Sequence, residues 1–154
     1  MSRFVVDASV AIKWVVPEAQ SDLAVRLLDH SLAAPDLLGP ECANIIWKKV
    51  ARGELDAAEA ETIAAALEAS GVALHATWPL LPDATAMACT LRHPAYDCFY
   101  LALAERLQAP LVTADSRLVS VARDKLAGRL AVLVLPLAEL PASLGSASGR
   151  SGGA

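Results

Sequence analysis

Tyr96-Asp97-Cys98-Phe99-Tyr100-Leu101-Ala102-Leu103-Ala104-Glu105-Arg106-Leu107-Gln108-Ala109-Pro110-Leu111-Val112-Thr113-Ala114-Asp115-Ser116-Arg117-Leu118 is the stretch that decides the fold. It sets one carboxylate, Asp97, at the head of an almost wholly apolar helical run. Pro110 ends that run, Leu111-Val112-Thr113 reads as a short strand, and a second carboxylate, Asp115, follows it. A helix laid antiparallel to a parallel sheet starts at the edge where the strands finish. Asp97 and Asp115 are therefore expected at one rim, the rim where open α/β sheets hold their ligands.

Working outward, the same alternation recurs. Arg3-Phe4-Val5-Val6 is a continuous apolar segment of the kind found in buried parallel strands. Asp7 closes it and residues 8–14 turn into a short helix. Residues 18–30 are amphipathic, with Leu23, Leu27 and Leu28 on one side. Residues 33–38 form a second short strand and turn around Pro35. Gly39-Pro40 opens a helix with Glu41 in its first turn, where Pro is tolerated and an acid favours the helix dipole. That helix runs to about Arg52 and breaks at Gly53. A partner helix from about Asp56 to Gly71 completes a helical hairpin, whose apolar faces are expected to contribute to a partner surface, exposed Leu67 among them. Residues 72–78 read as a strand, 81–92 as a helix, 117–127 as a helix ended by Gly128, and 130–135 as the last strand. Strands alternating with helices predict an α/β fold with a central parallel sheet covered on both faces. The order of its strands does not follow from the sequence.

Length and composition bound the rest. The chain of 154 residues suits one domain, expected over 1–140, with residues 141–154 as a flexible Gly/Ser-rich tail. A hydrophobic fraction of 55% with 5% aromatic implies an Ala/Leu/Val core and excludes a disordered chain. The formal charge of −4 means that a nucleic-acid partner needs a local basic patch. Cys42, Cys89 and Cys98 lack metal or redox spacing and suit a reducing compartment. No apolar run is long enough to span a bilayer and no secretory signal is visible. A cytoplasmic protein with no membrane partner is the expectation.

Asp7, Glu41, Asp97 and Asp115 share one property: each stands where an element begins or ends, beside apolar sequence. Each taken alone reads as a helix cap or a dipole partner. Taken together, all four fall on the carboxyl rim. Two carboxylates about 4 Å apart repel by about 4 kcal/mol at an effective dielectric of about 20. Four such groups raise one another's pKa and take up protons unless a cation sits among them. Oxygen ligands without His or Cys point to Mg²⁺ or Mn²⁺ rather than Zn²⁺. The matching chemistry is metal-assisted hydrolysis of a phosphodiester.

Val5-Val6-Asp7-Ala8-Ser9-Val10, Glu41-Cys42-Ala43-Asn44, Tyr96-Asp97-Cys98-Phe99-Tyr100-Leu101-Ala102-Leu103-Ala104 and Leu111-Val112-Thr113-Ala114-Asp115 resemble the motifs of PIN-domain ribonucleases, and more narrowly those of VapC-type toxins. Four motifs in the family's order and spacing carry the likeness to about Leu140. It implies a three-layer α/β/α sandwich. It further implies Mg²⁺- or Mn²⁺-dependent endoribonuclease activity by metal-activated water, homodimerisation, and inhibition by a small cognate antitoxin. By position, Asp7, Glu41, Asp97 and Asp115 match the metal-binding acids, and Ser9, Asn44 and Thr113 the polar supporting positions. Cys98 stands where a small apolar residue is usual.

Asn44, one turn from Glu41, is expected on the same helix face. Lys48, Arg52 and Arg117 are candidate phosphate contacts for RNA, with solvated helix faces as the alternative. Trp14 and Trp47 read as core or interface. The three histidines are scattered and suggest no acid–base site. Two other functions compete. A phosphohydrolase with Asp7 as nucleophile needs a nearby general acid, and position 9 is Ser9 rather than a second Asp. A catalytically inactive binding module of the same fold has no need of four mutually repelling acids.

Overall fold

The computed structural model describes residues 2–126 and 133–144. Five strands, β1 (Arg3–Val6), β2 (Ser31–Pro35), β3 (Ala73–His75), β4 (Leu111–Thr113) and β5 (Val134–Pro136), form one sheet in the order β3-β2-β1-β4-β5. Every neighbouring pair is parallel. The chain winds outward from β1 through β2 to β3, then crosses to the other side of β1 to place β4 and β5. That reversal makes β1 and β4 the topological switch point, the crevice where α/β sheets bind ligands.

Seven α-helices among the described residues cover the sheet: α1 (Ala8–Ala11), α2 (Ser21–Val25), α3 (Leu38–Ala51), α4 (Ala57–Glu68), α5 (Leu81–Leu91), α6 (Ala95–Leu107) and α7 (Ser116–Lys125). Period-two alternation along the strands divides the core in two. Val5, Ala34 and Leu111 face a cluster with Leu103, Tyr100 and Leu91. Phe4, Val6, Leu32 and Val112 face the opposite cluster with Leu27, Leu137 and Leu140. The sheet is thus buried on both sides, which is why its strands are apolar without interruption. A smaller cluster of Ile12, Val16 and Ile46 ties the α3–α4 hairpin to the turn after α1.

Most local expectations hold within a residue or two, and the departures have local causes. The amphipathic segment 18–30 is not one helix. Gln20 adopts φ +67°, so α2 starts only at Ser21, and a 3₁₀ turn (Arg26–Asp29) replaces its second half. β2 begins two residues earlier than expected and ends at Pro35, whose missing N–H suits a strand end. The strand over 72–78 is only three residues long. Gly53, at φ +75°, stops α3 in a conformation that side chains other than glycine's resist. Of the last expected strand, residues 130–132 lie outside the described residues, as do the helix end at Gly128 and the tail from Gly145 onward. Leu67 is half-buried against the core rather than exposed, while Trp47 on the same hairpin is 63% exposed.

α6 is the packing centre of its layer, with Cys98 and Tyr100 to Ala104 all buried. Truncating Leu103, 1% exposed, to Ala leaves a cavity that the sheet behind it cannot fill. Leu103→Ala is expected to lower stability by about 3 kcal/mol, read as a fall in the urea midpoint at unchanged slope.

Candidate active site

Asp7 follows β1 directly and is 6% exposed, one of two buried polar residues in the described core; the other is Thr113, at the end of β4. The two are bonded across the switch point. Thr113 Oγ1 donates to Asp7 Oδ2 at 2.5 Å, and Ser9 Oγ donates to Asp7 Oδ1 at 2.5 Å. Val10 N also reaches Asp7 Oδ1 at 3.3 Å, so Asp7 caps α1 as well. Each hydroxyl accepts in turn from the loop after β4: Ser9 Oγ from Ala114 N at 3.0 Å, and Thr113 Oγ1 from Asp115 N at 3.1 Å. A hydroxyl is the group that can donate to a carboxylate and accept from an amide at once. Ser9 and Thr113 therefore lock Asp7 to the loop that carries Asp115. Asp115 caps α7, its Oδ1 accepting from Arg117 N at 2.9 Å and Leu118 N at 3.4 Å.

The remaining acids come to the same rim from the helices. Glu41 lies in the first turn of α3 and Asp97 in the first turn of α6. Burial pushes the Asp7 carboxyl up from 3.8 to about 6; the Ser9, Thr113 and Val10 hydrogen bonds oppose that rise and the charge of Asp97 adds to it. Glu41 is also raised, by burial and then by Asp97. Its Oε1 is buried with no hydrogen-bond partner among the described residues, and so is the Tyr100 hydroxyl. Burial drives the phenol's pKa upward and the nearby Glu41 carboxylate adds to it, yet the two groups are not aligned for a bond of ordinary geometry.

The donor set suits a hard divalent cation. It is all oxygen, it includes an orphaned carboxylate oxygen, and the charge of Asp97 adds to the upward shifts that burial gives Asp7 and Glu41. The neighbouring thiols are not competitors: burial and the adjacent acids push Cys42 up to about 12 and Cys98 up to about 11. Asp7, Glu41 and Asp97 share a field, and Asp115 stands at the same rim, but the four do not share a coordination sphere. Among the described residues, no three His, Cys, Asp or Glu side chains are gathered closely enough to hold a metal ion. Three of the four have a protein donor instead: hydroxyls on Asp7, the α7 amides on Asp115, and His93 Nε2 at 2.5 Å from Asp97 Oδ2.

Of the supporting residues, Ser9 and Thr113 join the acids and Asn44 does not: it is exposed on α3 with no side-chain hydrogen bond among those described. Lys48 and Arg52 lie about 10 and 16 Å further along the α3 axis than Glu41, and Arg52 pairs with Glu54 at 3.5 Å. Arg117 is exposed beside the Asp115 cap. His93 and Tyr100 also meet the acids, and neither stands out in the sequence. The contact of His93 with Asp97 spans four positions but crosses Pro94, so no continuous helical pattern announces it. Tyr100 reads as one more apolar residue of α6.

A parallel sheet with this switch point and acids on its carboxyl rim defines a class, and the sequence matches it: residues 4–124 match the PIN domain. The chain belongs to the PIN-domain family. Within that family it is of the VapC type. It is 37% identical over 120 residues to the protein named Ribonuclease VapC3 of Pyrobaculum aerophilum, covering 75% of this chain and 92% of the relative. It is 33% identical over 124 residues to Ribonuclease VapC1 of Mycobacterium tuberculosis, covering 78% and 91%. The crystal structure of PAE2754 from Pyrobaculum aerophilum superposes with a TM-score of 0.63 at 26% identity, over 78% of this chain and 84% of that one.

Asp7 gives the metal-free protein a pH signature. Its folded value of about 6 lies above the ordinary 3.8 to which unfolding returns it. Between about pH 4 and 6 the folded state holds a proton that the unfolded chain has lost. Stability from this group is therefore full at the acid end and falls as pH rises through 6, by on the order of 3 kcal/mol. Unfolding in EDTA at pH 5 and pH 7.5 should show wild type gaining on Asp7→Asn at the lower pH. An equal gap at both values would contradict it.

Proposed function

We propose that the chain is a divalent-metal-dependent endoribonuclease, the toxin of a toxin–antitoxin pair, acting in the cytoplasm. The single observation that carries the reading is the concentration of Asp7, Glu41 and Asp97 in one field at the switch point of a VapC-type PIN domain. Asp7, Glu41, Asp97 and Asp115 are the residues that would hold Mg²⁺ or Mn²⁺. Such an ion polarises a phosphate oxygen and lowers the pKa of water, the two requirements of phosphodiester hydrolysis.

The chain's own groups supply positioning. Ser9 and Thr113 keep the Asp7 carboxylate in one orientation and shield its unfavourable burial until a cation offsets it. Asp115, held by two α7 amides through Oδ1, keeps its other oxygen for the rim. The buried Glu41 carboxylate, near the Tyr100 hydroxyl, adds charge from the α3 side. The net acidity of the chain leaves phosphate contacts to local cations, for which Lys48, Arg52 and Arg117 are the candidates.

The partners in this reading are RNA, a small cognate antitoxin and a second copy of the chain. No helix among the described residues is long and apolar enough to cross a membrane. A cavity of about 240 Å³ between α3, α4 and Trp14, lined by Ile46, Leu67 and Leu74, has the size and apolarity to take an antitoxin side chain.

Purified protein with Mg²⁺ or Mn²⁺ is expected to cut RNA at defined positions found by sequencing the new ends. EDTA, Asp7→Asn and Asp97→Asn are each expected to abolish cutting without unfolding the chain. EDTA-sensitive activity at the wild-type level in either variant would remove that residue from the site. Cleavage that ignores EDTA would end the metal reading altogether.

A further inference from the structure

We propose that His93 is a positioning residue that sets the Asp97 carboxylate for the cation through its Nε2–H donor. The inference rests on reading Asp97 as a metal ligand, and it adds a residue outside the four acids and their two hydroxyl supports.

His93 belongs to neither flanking helix. Arg92 closes α5 in the left-handed region at φ +52°, a conformation uncommon for a residue with a side chain. His93 N then donates to Ala88 O at 3.3 Å, and Pro94 opens α6 with its φ fixed near the ring's value at −52°. The backbone is thus constrained on both sides of His93, and its side chain is only 10% exposed. The ring can do little but face the first turn of α6, where Nε2 lies 2.5 Å from Asp97 Oδ2. A carboxylate only accepts, so the nitrogen facing it carries the hydrogen.

That bond commits one oxygen and leaves the other. Asp97 Oδ1 has no hydrogen bond among the described residues, and the Asp97 charge is felt by both Asp7 and Glu41. An Asp in the first turn of a helix has several open rotamers. Pinning Oδ2 removes that freedom before a cation arrives and turns Asp97 into a preorganised one-oxygen donor. Hydrogen bonds of this kind behind a ligand typically change metal affinity by about 10–100-fold.

Calorimetric titration with Mn²⁺ tests this on wild type, Asp97→Asn, His93→Leu and His93→Gln, each first melted without metal to establish folding. His93→Leu is expected to bind Mn²⁺ about tenfold or more weakly. His93→Gln, which keeps an N–H donor at similar reach, is expected to stay near wild type. Wild-type affinity in His93→Leu, with binding lost in Asp97→Asn, would overturn the role of His93 and leave the metal reading standing. Tighter binding in His93→Leu would overturn it too, showing that the histidine competes with the ion. Wild-type affinity in Asp97→Asn would remove the metal reading and the inference with it. Should His93→Leu not fold, ¹⁵N NMR of the wild-type imidazole decides. A hydrogen-bonded Nε2–H retained in Mg²⁺ and altered in Asp97→Asn is expected, and loss of that hydrogen bond on adding Mg²⁺ would refute the proposal.

Discussion

A carboxylate buried at the switch point of a parallel sheet is the constraint on which the rest of the structure depends. Asp7 sits where β1 ends, with β2 on one side, β4 on the other and α1 beginning at the next residue. Burying it unpartnered would cost several kcal/mol. The fold meets that cost with two hydroxyls rather than with a lysine or arginine. A cationic partner would neutralise Asp7 permanently and lower its pKa. The hydroxyls of Ser9 and Thr113 fix its geometry and leave its charge only partly offset, as its upward pKa shift indicates. Geometry and charge are thereby separated, as the proposed cation site requires.

The same network explains how distant segments are kept in register. β4 is three residues long and offers few ladder bonds of its own. The Thr113–Asp7 bond, with Ser9 holding Ala114 N, adds a side-chain clasp where β4 leaves the sheet. The loop carrying Asp115 is fastened to the residue that most needs company. Stability and site construction are served by one set of atoms, so the hydroxyls cannot be assigned wholly to either.

Much of this was legible in the sequence because it is written in local punctuation. Short apolar strands closed by an acid, and helices opened by proline or closed by glycine, mark the α/β alternation without reference to tertiary structure. The carboxyl-rim placement of the acids follows from that alternation alone. Strand order, the half-burial of Leu67 and the exposure of Asn44 depend on how helices roll against the sheet, and periodicity fixes such angles only coarsely. The 3₁₀ turn after α2 escaped because Gln20 is not a residue that announces a left-handed φ. His93 escaped for a different reason: its contact is made possible by two helix ends meeting, and neither helix's pattern extends across Pro94. Of the acids expected in one bowl, Asp97 acts on the charge of both Asp7 and Glu41, while among the described residues no three close on a common point.

Capping and ligand binding, set against each other when the sequence is read one residue at a time, are not alternatives in the folded chain. A cap uses one oxygen of a carboxylate and fixes the direction of the other. Asp115 spends Oδ1 on two amides of α7, and Asp7 accepts an α1 amide while bonded to both hydroxyls. Placing acids at strand-to-helix junctions gives each a rigid base in the backbone, at the sheet edge where helix N-termini favour negative charge. The dipoles make it tolerable to bring several carboxylates to one rim, though not to bring them into contact. In the proposed metal site, bringing them onto a common ligand would be the work of the cation.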